Sequence, residues 1–318
     1  MVDPSPSADT GAAVAAKCPG VVAITGAAGF LGQLARKECE ARGLRVVGID
    51  LPRPKCQGGP GIPGARVVDQ TKIDKPCDLT DPDGITGILE CCDTLVHLAA
   101  DGRPSADFLK DVLPNNITAT YHILEEARRA GVKRVVFAST NHTQHGETMA
   151  NGSPGCMDWS RLDALGGPAS LRASDPLAKA GPDSFYGVSK MCGEAIGYLY
   201  ARVFSAFEFV ALRIGWCLYD DPTALVGTEN EDYLRAMWLS RRDFCGFLTG
   251  ALTADLGQCR GFLVAYAISR NGRRPFDIED SLMSLGYSPK DDAEKYFGEL
   301  EDGAATEQPG LKKPKLTL

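Results

Sequence analysis

A tyrosine and a lysine stand four residues apart in the stretch SFYGVSK, at Tyr186 and Lys190. On a helix this spacing directs both side chains from one face. A phenol with a pKa near ~10 is a poor base at neutral pH, but a nearby ammonium group favours the phenolate. Tyr186 is therefore predicted to act as a general base on a substrate hydroxyl. Thr140, at the end of the apolar run VVFAST, is predicted to orient that hydroxyl, and Ser139 is the competing candidate.

Three glycines follow an apolar strand in VVAITGAAGFLG, at Gly26, Gly29 and Gly32. Alone, this spacing is typical of any tight strand-to-helix turn. Asp50 ends the next predicted strand about 20 residues further on, and this makes the turn a dinucleotide-binding pattern. The glycines let the backbone approach a pyrophosphate at the helix N-terminus. Asp50 would bind the ribose hydroxyls and repel the 2′-phosphate of NADP, so NAD is the predicted cofactor. Tyr186 would then remove a proton while hydride leaves the same carbon for NAD.

The elements that must position these residues alternate along the first half of the chain. Strand-like runs followed by helical ones predict a parallel sheet covered on both faces, with ligands at the carboxyl ends of its strands. The segment 141–183 is rich in Gly, Pro, Ser and Asp and is predicted to be irregular and functional. The predicted strands are 21–25, 45–49, 66–69, 94–98, 133–138, 208–214 and 262–268, and the predicted helices are 30–42, 117–130, 184–204 and 291–300.

These elements predict a dinucleotide-binding domain followed by a smaller substrate-binding part. Residues 20–214 are assigned to the NAD-binding domain, and residues 215–301 mainly to substrate binding. Residues 1–19 are predicted to be a disordered leader without the basic start of a targeting peptide, and 302–318 a disordered tail.

Composition narrows the class of partner. The 318-residue chain is 44% apolar and 24% charged, and its net charge of −7 argues against nucleic acid or an anionic membrane as a partner. No apolar run reaches the ~18 residues that span a bilayer. The 11 cysteines are scattered without a CxxC pair, which favours reduced packing thiols, no metal site and a cytoplasmic location. A homo-oligomer is one open possibility for the assembly.

Together these features resemble the extended short-chain dehydrogenase/reductase family, or NAD-dependent epimerase/dehydratase family, from residue 21 to about 300. The matching segments include TGAAGFLG, CDLTD, HLAA, NNITAT, FASTNH, YGVSK and LRIGW. The resemblance implies a Rossmann-type α/β fold, a doubly wound parallel sheet with a small C-terminal substrate-binding subdomain. It implies a triad of Thr140, Tyr186 and Lys190, with Asn116 steadying the lysine through a water. The implied cofactor-binding residues are Gly26, Ala28, Gly29, Phe30, Leu31, Gly32, Asp50, Asp78, Leu79, Leu98, Ala99, Ala100, Asn116 and Lys190.

Within that family the chain is most similar to the uronate dehydrogenases, which oxidise the anomeric carbon of galacturonate or glucuronate to an aldarolactone with NAD. The segments FASTNHT, YGVSKMCGE, MWLSRRDF and LGYSPKDDAEKYF carry this similarity. It implies a small anionic sugar as the substrate, with Arg213 forming a bidentate pair with its carboxylate. The implied substrate-binding residues are Ser139, Thr140, Asn141, His142 and Arg213. The sequence departs from that group at Gly102, where a substrate-binding serine is expected and Ser105 is the nearest substitute.

Three alternatives stay open beside a uronate dehydrogenase. The first is a dehydrogenase of another anionic aldose such as glucose 6-phosphate, with Arg103 and Lys179 as candidate phosphate contacts. The second is a nucleotide-sugar epimerase or dehydratase, although a dehydratase usually needs an acidic pair where Asn141 and His142 stand. The third is a non-catalytic nucleotide-sensing protein, which typically lacks the tyrosine or the lysine.

Overall fold

Seven strands form one sheet in which every neighbouring pair runs parallel. The structure is a computed structural model, and it describes residues 20–52, 68–103, 106–147, 157–164, 181–217, 220–228 and 231–297. The strand order is β3-β2-β1-β4-β5-β6-β7, which confirms the predicted α/β class. The strands are β1 Val21–Thr25, β2 Arg45–Asp50, β3 Lys75–Pro76, β4 Thr94–His97, β5 Arg134–Thr140, β6 Glu208–Ile214 and β7 Phe262–Ala267.

Both faces of the sheet are covered by apolar side chains. In β1, Val21 and Ala23 belong to one buried cluster, whereas Val22 and Ile24 belong to the other. Alternation between two cores is what a parallel sheet with helices on both faces requires. The helices are α1 Phe30–Ala41, α2 Ala119–Arg129, α3 Trp159–Ala164, α4 Phe185–Tyr198, α5 Glu231–Met237, α6 Arg241–Thr253 and α7 Glu279–Leu285. In the described part of the chain, none of them is long and apolar enough to cross a membrane.

The third strand is not where the sequence predicts it. Residues 68 and 69 of the predicted strand 66–69 are not in a strand, and 66–67 lie outside the described residues. The Asp69 side chain accepts hydrogen bonds from the backbone N–H and the hydroxyl of Thr71, which starts a short 3-10 turn over Gln70–Lys72. A side-chain bond of this kind favours a turn over an extended strand. The edge strand therefore forms later, at Lys75–Pro76.

Two of the predicted helices include or adjoin π-helical turns, and one of them is longer than predicted. The predicted helix 117–130 is preceded by π-helical Phe108–Thr118, which contains Pro114. Proline is disfavoured inside an α-helix, yet the wider π turn accommodates it. At the other helix, α4 continues as π-helical Leu199–Val203, so nearly all of the predicted 184–204 is helical. Of the predicted helix 291–300, residues 294–297 are helical and 298–300 lie outside the described residues.

Helix α4 lies close against the sheet and so brings its side chains to the ends of the strands. A Cβ at Gly193 would collide with the ring of Phe137 on β5, so only glycine permits this approach. Strand β7 pairs with β6, so the sheet continues into the part of the chain that was assigned mainly to substrate binding. The predicted leader and tail lie outside the described residues.

Candidate active site

The glycine turn packs directly against the segment that follows β4. Gly26 has a φ of +70°, and a Cβ there would lie 2.9 Å from the backbone nitrogen of Ala99. A larger residue would push the two loops apart, so the glycine is required for both conformation and space. The turn thus contacts Leu98 and Ala99, two of the residues predicted to bind the cofactor. Gly29 is the N-cap residue of α1. Because it has no side chain to bind the first backbone N–H groups of the helix, this helix end suits a pyrophosphate.

Asp50 links the turn to the neighbouring strand. Its Oδ2 accepts a hydrogen bond from the backbone N–H of Ala28 at 3.0 Å, and Oδ1 accepts one from Leu51 at 2.8 Å. The carboxylate lies partly exposed at the carboxyl end of β2, beside β1, where the ribose hydroxyls of a dinucleotide bind on this fold. The glycine turn and this acidic residue therefore fit NAD.

The two residues expected beside the adenine differ in exposure. Asp78 is exposed, and its Oδ1 accepts hydrogen bonds from the N–H and the hydroxyl of Thr80. Leu79 is buried, and its carbonyl oxygen lies 3.1 Å from Nδ1 of His122 on α2. Both residues follow β3, next to the strand that carries Asp50. Their contact with adenine stays a prediction.

Thr140, Tyr186 and Lys190 come together at the carboxyl end of β5. Tyr186 lies in the first turn of α4, and its hydroxyl is hydrogen-bonded to the side chain of Thr140. Lys190 follows one turn later, with Nζ 5.8 Å from the centroid of the Tyr186 ring and 4.9 Å from that of Phe137. Burial raises the pKa of Tyr186 to about 12, although the bond with Thr140 opposes this shift, and burial lowers the pKa of Lys190 to about 7. A positive charge brought next to Tyr186 would favour its phenolate.

Burial of Lys190 gives a pH-dependent stability prediction. Its pKa is about 7 in the folded protein and about 10.5 when unfolded, so below about pH 7 the folded state bears the full cost of burying the ammonium group. As pH rises from about 7 to 10.5, the folded protein holds the neutral amine and this cost disappears. Lys190→Met should therefore stabilise the protein by about 2–5 kcal/mol near pH 6 and by much less near pH 10.

Thermal unfolding of both proteins at the two pH values measures this difference. The control is Lys133→Met, because the Lys133 side chain is 80% exposed and its removal should leave the stability difference between the two pH values unchanged. A Lys190→Met variant that is equally stabilised at both pH values would show that burial does not perturb this lysine.

Asn116 joins the loop after β4 to helix α4. Its side-chain oxygen accepts a hydrogen bond from the Asp101 N–H at 2.7 Å. Its nitrogen donates to the Asp101 carbonyl at 2.9 Å and to the Ser189 hydroxyl at 3.1 Å. Ser189 is the residue before Lys190, so Asn116 holds the helix that carries the lysine. Its link to the lysine through a water stays a prediction.

Asn141 and His142 lie beside the tyrosine on the substrate side. The His142 ring is 5.8 Å from the Tyr186 ring, edge to face. Its Nδ1 lies 2.6 Å from Oδ2 of Asp183, and its Nε2 lies 3.4 Å from the Tyr233 hydroxyl. Asn141 donates to the same Tyr233 hydroxyl at 2.7 Å. His142 therefore borders the place where a substrate hydroxyl would meet Tyr186, whereas the amide nitrogen of Asn141 is turned to Tyr233.

Ser139 and Arg213 depart from the positions expected of substrate-binding residues, because both side chains bind Glu194. Arg213 donates from Nε and Nη2 to the two Glu194 oxygens at 2.9 and 2.8 Å, and Ser139 donates to Oε1 at 2.5 Å. Ser139 and Arg213 are register partners on β5 and β6. Glu194 lies one turn after Lys190 on α4, which covers that face of the sheet. The bidentate pair expected between Arg213 and a substrate carboxylate is thus formed with Glu194 instead.

Three functional candidates were missed by sequence reasoning: Asp183, Glu194 and Tyr233. Asp183 stands three residues before Tyr186, so the sequence offered a signal. Glu194 stands in the quoted segment YGVSKMCGE, four residues after Lys190, and that spacing places it on the same helix face. Tyr233 is 92 residues from its partner Asn141, and nothing in the sequence pointed to it. Ser105 and Lys179, two candidates for substrate contacts, lie outside the described residues.

Comparison with known proteins shows which family the chain resembles. The model of the NAD dependent epimerase/dehydratase family matches residues 22–216. An L-arabinose 1-dehydrogenase (NAD(P)(+)) of Haloferax volcanii is 37% identical over 220 residues, 68% of this chain and 81% of that protein. A uronate dehydrogenase of Pseudomonas putida is 28% identical over 281 residues, 87% of each chain. The solved structure of a variant uronate dehydrogenase from Agrobacterium tumefaciens, complexed with NAD, is 27% identical with a TM-score of 0.65 and covers 91% of each chain.

Proposed function

Because the chain belongs to the NAD-dependent epimerase/dehydratase family, we propose that it oxidises the anomeric hydroxyl of an aldose to the corresponding lactone. The protein is an NAD-dependent oxidoreductase and a sugar dehydrogenase of this family. The observation that carries the proposal is the hydrogen-bonded Thr140–Tyr186 pair, with Lys190 one turn away, at the strand ends beside the glycine turn. The reaction converts the aldose and NAD to a lactone, NADH and a proton.

Each residue of the site has a distinct role in this reaction. The Thr140 hydroxyl orients the anomeric hydroxyl, and the Tyr186 phenolate accepts its proton. The Lys190 ammonium group stabilises that phenolate through its charge. When bound, NAD supplies the acceptor for the hydride that leaves the same carbon. Asp50 and the turn at Gly26 hold the dinucleotide, and the Asp50 carboxylate repels the additional phosphate of NADP.

The substrate can come from several classes of aldose. A galacturonate or glucuronate is the substrate that the sequence implied, and the length of the match to the Pseudomonas putida uronate dehydrogenase supports it. The Haloferax volcanii relative, named for L-arabinose, supports a neutral aldose. The proposed chemistry is common to both classes. An acidic pair after Thr140, which a dehydratase would use, is replaced by Asn141 and His142, and these bind Tyr233 and Asp183.

The test is an assay of the purified protein with NAD and a panel of neutral aldoses, uronates, glucose 6-phosphate and UDP-sugars. We expect NADH to form with at least one free aldose, with the lactone as the first product detected by NMR. If no free sugar gives NADH while UDP-glucose is converted to UDP-galactose, the protein is an epimerase instead. A cytoplasmic location and a homo-oligomeric assembly stay predictions.

A further inference from the structure

Resting on the proposed function, we infer that the substrate of this site is a neutral aldose rather than a uronate. Two features of the described residues carry the inference. The arginine expected to bind a substrate carboxylate is neutralised within the protein by Glu194, and the surface beside the base is aromatic and bordered by carboxylates.

The Arg213 guanidinium is engaged on most of its donors. Four of its five N–H groups make hydrogen bonds: two to Glu194, one to Gln144 at 2.9 Å and one to the Tyr266 hydroxyl at 3.4 Å. The residue is 2% exposed. Burial alone would lower the pKa of Arg213, but the hydrogen bonds and charge of Glu194 raise it above its usual value. A substrate carboxylate would have to displace Glu194 or lie beside a like charge, and both are unfavourable in a buried site.

Two carboxylates lie near the base, in addition to the Lys190 ammonium group. Asp101 and Asp183 both act on Tyr186 as nearby negative charges. The Asp183 side chain is 1% exposed, and although burial raises its pKa, the hydrogen bond and charge of His142 lower it overall, so the carboxylate is ionised at neutral pH. Arg103, another candidate for an anionic group, is paired with Asp101 and with Asp111 at 3.1 Å. Arg103 and Arg213 are thus both paired with carboxylates of the protein, so an additional carboxylate or phosphate on the sugar gains little from either.

The side chains next to His142 form an aromatic wall, which we define as His142, His145, Trp216 and Tyr233. The Tyr233 ring centroid lies 4.7 Å from that of His145, 5.3 Å from that of Trp216 and 6.2 Å from that of His142. Burial lowers the pKa of His145 to about 3, so it adds no positive charge at neutral pH. Trp216 and His142 are partly exposed and can pack against the C–H face of a sugar ring. Such surfaces with a few polar groups are typical of sites for neutral ligands.

Matched pairs of sugars test this inference with the unaltered protein. D-galactose and D-galacturonate differ only in whether C6 is a hydroxymethyl group or a carboxylate, and D-glucose and D-glucuronate differ in the same way. The best of the neutral sugars D-galactose, D-glucose and L-arabinose is compared with the two uronates and with glucose 6-phosphate. We expect its kcat/KM with NAD to exceed that of each anionic sugar at least ~10-fold. A smaller preference, or a faster reaction with a uronate or the phosphate, overturns the inference and leaves the proposed function standing. No NADH from any free sugar contradicts the proposed function itself.

A substitution in the aromatic wall separates sugar stacking from cofactor binding. Trp216→Ala should raise the KM for the preferred neutral sugar at least ~10-fold while the Kd for NAD, measured by fluorescence, changes less than about twofold. The control is Tyr296→Ala, which removes a partly exposed aromatic ring that packs on Trp238 instead. An unchanged KM in a folded Trp216→Ala protein overturns the role of the wall.

Discussion

Replacing Tyr186 by phenylalanine should lower kcat by about 10³-fold or more and leave the affinity for NAD nearly unchanged. The substitution removes the one oxygen that accepts the proton, and general-base catalysis typically contributes ~10²–10⁴-fold to a rate. The ring itself stays, so the contacts of Tyr186 with Lys190 and His142 are retained. In the proposed site NAD is held by the glycine turn and Asp50, which lie on other strands. The effect should therefore fall on kcat and not on the Kd for NAD.

Steady-state kinetics with the preferred sugar, together with NAD titration by fluorescence, measures both quantities. The matched control is Tyr200→Phe, which removes another largely buried phenol, hydrogen-bonded to Glu125 at 2.8 Å. The Tyr200 ring stacks on Phe207 before the start of β6, not at the carboxyl end where Thr140 lies. This control should keep the kcat of the unaltered protein. A Tyr186→Phe protein that retains more than about a tenth of the turnover would show that another group is the base.

The features that could be predicted from the sequence are those encoded by neighbours in the chain. Strand β6 was predicted with its observed bounds, because five of its seven residues are apolar and a glycine, Gly215, follows it. The four-residue spacing of Tyr186 and Lys190 needs only one helix to bring them together. The glycine turn and Asp50 need only two adjacent parallel strands, and that pairing follows from the alternation of strands and helices.

The contacts that escaped prediction are set by tertiary packing. The role of Arg213 depends on which side chain of the covering helix α4 faces it, and the sequence alone could not tell an external carboxylate from Glu194. Tyr233 reaches the site from α5 only because that helix folds back over the strand ends. The edge strand forms at Lys75–Pro76, later in the chain than predicted, because the side-chain hydrogen bonds of Asp69 compete with an extended backbone.

This distinction bears directly on specificity. The family's chemistry resides in residues that local spacing identifies, whereas the choice of sugar depends on distant side chains that converge on one another. Glu194 is the clearest case, because its carboxylate on α4 binds Arg213, the arginine that the sequence assigned to a substrate carboxylate. If that reassignment is correct, the Arg213–Glu194 pair should behave in unfolding experiments as a buried ion pair.

Removing either partner of that pair should destabilise the protein strongly, whereas removing both should cost much less. Glu194→Leu leaves the guanidinium buried without its carboxylate, and Arg213→Met leaves the carboxylate without its cation; either change is expected to cost about 3–5 kcal/mol. In the double variant no uncompensated charge remains, so the two losses should fall short of additivity by at least ~2 kcal/mol. Urea denaturation of the four proteins gives this coupling energy.

The control cycle uses Arg270 and Glu279, a pair 3.3 Å apart whose side chains are 41% and 58% exposed. Its coupling energy should stay below ~1 kcal/mol, because solvent screens exposed pairs. A single variant too unstable to purify beside a folded double variant would support the same conclusion. A coupling energy for Arg213 and Glu194 as small as that of the control pair would mean that the two charges do not depend on each other. Arg213 would then again be available to a substrate carboxylate, and the preference for neutral sugars would lose its structural basis.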